Sequence, residues 1–292
     1  MGEIVGAAIV SHIPPIVMPE ADRRALNNGQ EISLVSGLHR LREEKINPLA
    51  ADTIVVLDTH WFTLVEMVVT AHPRRNGRYT SDELPRGMAA VPYDIPGDPE
   101  LAHRLEFLAA DRNDTWITAN DDPYLPIHYG TVNLLPFLQG EERWMTASIC
   151  GTASTEDFLL FGQLLGQAIA QLDRRVLLLG SGGLSHRFWP LQEFRHHESS
   201  DPKNIITPEA RQADEDVLAC WEAGDHRSVI DNMADFRQHA PEGMFGHYLM
   251  MAGALGGRNW LAAGQRFSDY EAAAGTGQAH VWFDQPANGW TA

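Results

Sequence analysis

Cysteine is scarce in this chain: Cys150 and Cys220 are the only two in 292 residues. Two cysteines make neither a disulfide framework nor a zinc-ribbon pattern, and they suit a reducing cytoplasm. Basic residues are few as well, 22 Lys and Arg against 39 Asp and Glu, for a net charge of −17. Phosphate binding needs clustered cations, so nucleic acid is not an expected partner. An anionic substrate would need a locally basic pocket. Long apolar runs are also missing, since none approaches the roughly 20 residues of a membrane span. The opening stretch MGEIVGAAIVSHIPP carries Glu3 where a leader would be basic, and its apolar run is short, so it reads as a first buried strand. Repeats, heptads and low-complexity segments are not found. What remains is 44% hydrophobic and 21% charged, the balance of a globular protein long enough to bury a sizeable core.

Short apolar runs alternate with longer helical patterns. Strand-like runs at Ile4–Val10, Thr53–Leu57, Glu66–Thr70, Trp144–Ile149 and Val176–Leu179 are interleaved with helix-like runs at Ser33–Lys45, Leu101–Ala110 and Phe158–Leu172. This alternation predicts an α/β sheet covered on both faces. The Pro- and Gly-rich stretch Arg74–Pro99 reads as an ordered excursion with turns, not a domain boundary, and 1–292 as one domain. The last third is more helical: Pro208–Ala223, with Thr207 as N-cap and Pro208 in the first turn, then His226–Asp235 and Gly243–Leu255. Gly256-Gly257 stops the last of these, and strand-like pieces Trp260–Phe267 and Gln278–Phe283 finish the chain.

Thirteen histidines are present, and position separates them. Ligands of open α/β sheets bind beyond the carboxyl ends of strands. His12 follows Ile4–Val10, His60 follows Thr53–Leu57, and His186 follows Val176–Leu179 across Gly180-Ser181-Gly182-Gly183-Leu184-Ser185. Any one of them could be an ordinary hydrogen-bonded loop histidine; three at equivalent strand ends suggest a metal or acid–base site. Two histidines with a carboxylate make the facial triad of non-haem Fe(II) oxygenases, but spacing leaves many carboxylates to choose from. Glu242 stands at the start of a helix-like segment, where the helix dipole alone would favour it. Asp58, two residues before His60, is either an orienting group or a polar strand end. Arg187 could meet a substrate carboxylate, Trp61 and Trp189 could pack on a flat ring, and His196-His197 read as surface or lid residues.

Several segments in order resemble a known family. They are Ser11-His12-Ile13-Pro14, the run Asp52–Trp61, Tyr79–Pro85, Tyr129-Gly130-Thr131, Gly180–Arg187, Glu242-Gly243 and Gly275-Thr276-Gly277-Gln278. Together they are similar to the class III extradiol ring-cleavage dioxygenases, the group containing protocatechuate 4,5-dioxygenase, and most closely to its 3,4-dihydroxyphenylacetate branch. The resemblance implies a mixed central sheet flanked by helices, commonly assembled into homo-oligomers. It implies Fe(II) held by His12, His60 and Glu242, with His186 as the acid–base histidine and His128 as a second active-site histidine found in some members. The expected partners are O2 and a small aromatic with vicinal oxygens, foremost 3,4-dihydroxyphenylacetate or a related catechol acid. A hydroxypyridone or a gallate-type ring is the alternative. Two other classes compete: a hydrolase using Zn2+ on the same ligands, and a non-catalytic scaffold, which would have no need of all four residues.

Overall fold

The computed structural model describes residues 1–85 and 87–291. In chain order its strands are β1 Glu3–Val10, β2 Thr53–Thr63, β3 Met67–Thr70, β4 Arg74–Tyr79, β5 Val91–Pro96, β6 Ile117–Asn120, β7 Arg143–Cys150, β8 Arg175–Ser181, β9 Gly264–Arg266, β10 Glu271–Ala273, β11 Thr276–Gln278 and β12 Val281–Asp284. Eight of them form one sheet in the order β6-β3-β7-β2-β8-β1-β12-β9. The central four, β7, β2, β8 and β1, are mutually parallel. The outer partners β3, β12 and β9 run antiparallel to their inner neighbours, so the sheet is mixed. Pairs β4–β5 and β10–β11 form two small hairpins.

The parallel strands read as continuous apolar runs because both their faces are covered. Residues alternate between faces with period two. Ala7, Ile9, Val55, Leu57 and Leu178 join the core beneath helices Thr155–Ala170 and Gly246–Ala254. Ala8, Val10, Ile54, Val56, Leu177 and Leu179 join the opposite core with Leu34, Leu38 and Leu41. Helix Thr155–Ala170 starts at a reciprocal capping box between Ser154 and Asp157, a pairing that satisfies two otherwise orphaned N–H groups. Helix Pro208–Ala223 begins as expected, with the Thr207 hydroxyl accepting from Ala210 N–H. No helix among the described residues is long and apolar enough to cross a membrane.

Three expectations of local structure need correction. The strand carrying His60 does not stop at Leu57 but runs to Thr63. Its pairing with β7 jumps from Asp58↔Ser148 to Phe62↔Ile149. The residues between, Thr59 to Trp61, are an unpaired bulge, the device by which sheet edges and rims re-aim side chains. The last helix does not start at Gly243: Gly243, Met244 and Phe245 all have positive φ (53°, 56° and 63°), and the helix runs Gly246–Ala254. Glu242 therefore precedes a left-handed turn, and the dipole account of its position is withdrawn. Finally, Trp260–Phe267 contributes only the three-residue β9; the Arg74–Pro99 stretch is, as expected, an excursion with turns, built around the β4–β5 hairpin.

Candidate metal centre

Three neighbouring parallel strands, β2, β8 and β1, end side by side, and the site lies beyond their carboxyl ends. Two residues past the end of β1 stands His12; the bulge in β2 presents His60; the turn after the Ser185–Pro241 bridge delivers Glu242. His12 Nε2 lies 3.2 Å from Glu242 Oε1, and His60 Nε2 lies 3.4 Å from the same oxygen. Ligand atoms of these three residues all fall within 4.8 Å of one another, and they form the one group of its kind among the described residues. The two imidazole rings stand nearly perpendicular, 83° apart, so their lone pairs converge from different directions.

The hydrogen bonds behind the ligands set their chemistry. Ser181 Oγ, at the end of the middle strand, donates its one proton to Gly130 O at 2.6 Å. It therefore accepts from His12 Nδ1–H at 2.8 Å, and neutral His12 presents a bare lone pair at Nε2. That lone pair faces a carboxylate oxygen. Two acceptors at such a distance repel unless a cation, proton or metal, lies between them, so the donor set fits a metal ion. The same juxtaposition appears in the proton equilibria. Burial opposes charge on His12, but Glu242, with smaller help from Asp58 and Glu83, overcomes it and raises the His12 pKa. Burial likewise opposes charge on Glu242, yet His186 and His12 together with hydrogen bonds from His12 and His60 hold its pKa well below the ordinary carboxylate value. Metal and proton compete for one position, so metal retention weakens as pH falls.

Other residues lock the ligands in place. Gly183 N–H donates to Glu242 Oε2, and the Thr59 hydroxyl donates to Glu242 Oε1. Asn133 holds the His12 carbonyl at 2.8 Å. Asp58, the suspected orienter, is fully buried; its Oδ1 accepts from His60 N–H at 2.9 Å and its Oδ2 from the Thr131 hydroxyl at 2.7 Å. Gly130 passes so close that an added Cβ would stand 2.1 Å from Asp58 Oδ1. Partners behind a metal ligand are worth about 10–100-fold in metal affinity or activity. Ser181→Ala is accordingly expected to weaken metal retention by about that factor while leaving a folded protein, as measured by metal titration and circular dichroism.

His186 approaches from the loop after β8, with Nδ1 3.5 Å from Glu242 Oε2 and no hydrogen-bond partner for that nitrogen. Burial lowers its pKa, only partly offset by Glu242. His12, His60, His186 and Tyr129 share the wall of one cavity of about 710 Å³. Tyr129 packs its ring 3.6 Å from the His60 ring and donates its hydroxyl to Glu83. His128 does not line that cavity: it stacks on Trp61, its Nε2 is buried without a partner, and burial lowers its pKa. Fully buried His247 abuts Gly182 from behind, and burial takes its pKa down to about 4.

Expectations for the cavity wall also need revision. The aromatic rings that line it are Tyr129, Phe188 and Phe194, whereas Trp61 and Trp189 stack on His128 and His197. Arg187 turns away and donates to Gln238 O. Arg23 lines the wall, but Glu31 already engages it from two of its nitrogens. Glu83, Glu198 and Glu271 line it too. The basic pocket that an anionic substrate would require is absent from the described residues.

Ser181 and Thr59 went unrecognised in the sequence, although each lies within a segment flagged for other reasons. Asn133 and the Gly183 amide carry no sequence signal, since a backbone N–H belongs to every residue but proline.

Comparison with known proteins agrees with this geometry. A family model described as the catalytic LigB subunit of aromatic ring-opening dioxygenase matches residues 6–278. A 3,4-dihydroxyphenylacetate 2,3-dioxygenase of Escherichia coli is 29% identical over 261 residues, spanning 88% of this chain and 91% of its own. The crystal structure of an uncharacterized protein from Escherichia coli K12 covers 95% of this chain and 99% of that one, with a TM-score of 0.65 at 18% identity. That last likeness is one of fold.

Proposed function

The chain belongs to the family of catalytic LigB subunits of aromatic ring-opening dioxygenases, and from that premise we propose that it cleaves a catechol-like ring with Fe(II) held by His12, His60 and Glu242. The chain is an extradiol ring-cleavage dioxygenase; the metal, the residues and the substrate are the proposal. The observation that carries it is the convergence of two imidazoles and the Glu242 carboxylate, with both imidazoles and His186 on the wall of one cavity.

Ferrous iron in such a set supplies open positions for two vicinal oxygens and for O2, together with electrons for its activation. The chain's own residues do the rest. His186, kept neutral by burial, takes a proton from a substrate hydroxyl and can return it later, the role to which imidazole is suited near neutral pH. Tyr129 and the apolar wall hold the ring flat and exclude water. His128, which the family resemblance marks as a second active-site histidine, stacks on Trp61 beyond the cavity lining and is assigned no step. Residues 1–292 form one catalytic domain, acting as a cytoplasmic homo-oligomer.

For the ring substituent, the name of the Escherichia coli relative supports 3,4-dihydroxyphenylacetate or a related catechol acid. One observation favours a second reading, a catechol without a carboxylate: the described lining has more carboxylates than cations, and Arg23 is engaged by Glu31. Hydroxypyridone and gallate-type rings complete the set to be assayed. The protein, loaded anaerobically with Fe(II), is expected to take up O2 with vicinal diols and to be inert with Zn2+. The ratio of kcat/KM for 3,4-dihydroxyphenylacetate to that for 4-methylcatechol decides between the two substituents. Failure of the iron-loaded protein to consume O2 with any member of the panel overturns the proposal, and turnover with Zn2+ in the absence of O2 replaces it with hydrolysis.

A further inference from the structure

Helix Pro208–Ala223 carries a fully buried carboxylate, Asp214, outside the metal centre. Burying a carboxylate is costly unless donors surround it, and three do. Oδ1 accepts from Ser185 N–H at 2.8 Å; Oδ2 accepts from the Ser185 hydroxyl and from the Tyr270 hydroxyl, each at 2.7 Å. All three can donate to a carboxylate at once, whereas an alanine at this position would leave the Ser185 amide and both hydroxyls without their acceptor. Burial nevertheless pushes the Asp214 pKa up to about 6.

Two of the three bonds end on Ser185, the residue immediately before His186. From Leu184 to His186 the chain is otherwise held by backbone bonds: Leu184 N–H to Gly277 O, Gly277 N–H to Ser185 O, His186 N–H to Ala240 O, and Glu242 N–H to Leu184 O. The neighbouring groups differ in what they need from it. Glu242 has its carboxylate fixed independently by Gly183 and Thr59. The His186 ring has no hydrogen-bonded tether: its Nδ1 stands 3.5 Å from Glu242 Oε2 without a hydrogen-bond partner, and its ring meets the edge of Phe188 at 5.0 Å. An untethered base is aimed through its backbone. We propose that Asp214 is a positioning residue that aims His186 at the substrate by clamping both the amide and the hydroxyl of Ser185.

The proposal rests on His186 being the acid–base group. Ser185→Ala and Tyr270→Phe each delete one donor to Asp214 Oδ2, so a mere brace of the fold would register them alike. Asp214 as a positioning residue separates them. Ser185→Ala should lower kcat about tenfold with KM and iron content unchanged, and Asp214→Ala, which removes every acceptor, should lower it about 10–100-fold. Tyr270→Phe should stay within about twofold of the wild type, even where its melting temperature falls. Equal kcat for Ser185→Ala and Tyr270→Phe, whether both silent or both impaired, overturns the proposal, as does a loss confined to KM or to iron. That pair decides the matter even where Asp214→Ala does not fold. His186→Phe, assayed alongside, tests the premise separately: wild-type turnover there removes the base, not the clamp.

Discussion

Replacing His186 by phenylalanine should leave iron bound and lower kcat by about 10²–10⁴-fold, the range of a single positioned acid–base group. The expectation follows from what the ring touches. It stands 3.5 Å from the far oxygen of Glu242, so it is placed beside the ligand set without joining it, and phenylalanine fills the same apolar space against Phe188. The pH profile supplies an independent check. Burial lowers the His186 pKa below its ordinary 6.5, so the ring is a free base at neutral pH. Turnover per bound iron should hold through neutrality and fall only as pH drops through that lowered value, and His186→Phe should lack this acid limb. Iron content by metal analysis, with stopped-flow rates across pH, makes the measurement. A variant that has lost its iron would place His186 among the ligands instead.

Removing a ligand should behave differently. His12→Ala, His60→Ala and Glu242→Ala should each lose bound iron and activity together, by more than the 10–100-fold expected for the residues behind them. A metal that binds the folded state alone stabilises it by about 2.7 kcal/mol at a hundredfold excess over Kd, which for a chain of this size is a melting shift of about 4 °C. Added Fe(II) should therefore raise the wild-type melting temperature by about that much and leave the three variants unmoved. Glu242→Ala should be the most disruptive, because it also strips the acceptor from Gly183 N–H and the Thr59 hydroxyl and leaves buried donors unpaired. An unchanged iron stoichiometry in any one of the three strikes that residue from the set.

The residues differ in how readable they were, for physical reasons. His12 and His186 follow apolar runs that are buried on both faces, so the strand ends, and with them the rim of the sheet, could be located from hydrophobicity alone. His60 was placed correctly relative to the rim but for the wrong reason, since it lies on a bulge within a longer strand. A bulge leaves no hydrophobic signature, because its residues neither pair nor alternate. Glu242 was selected by resemblance and not by pattern; the left-handed turn at Gly243, Met244 and Phe245 has only one glycine to announce it. The clamp of Asp214 on Ser185 joins residues 29 apart in sequence, and on helix periodicity Asp214 looked like one more polar position.

By itself, then, the amino-acid sequence determined the α/β class, the parallel strands and the rim where chemistry could gather, because burial on two faces demands unbroken apolar runs and strand ends demand turns. Only the tertiary structure decided which carboxylate faces the imidazoles, which way each ring is turned, and that the few charged groups on the largely apolar cavity wall are mostly acidic. Those properties depend on distances between atoms remote along the chain, set by the order β2-β8-β1 and by a bulge that bends one strand across it. Electrostatic and hydrogen-bonding energies are functions of such distances, and no local pattern of residues encodes them.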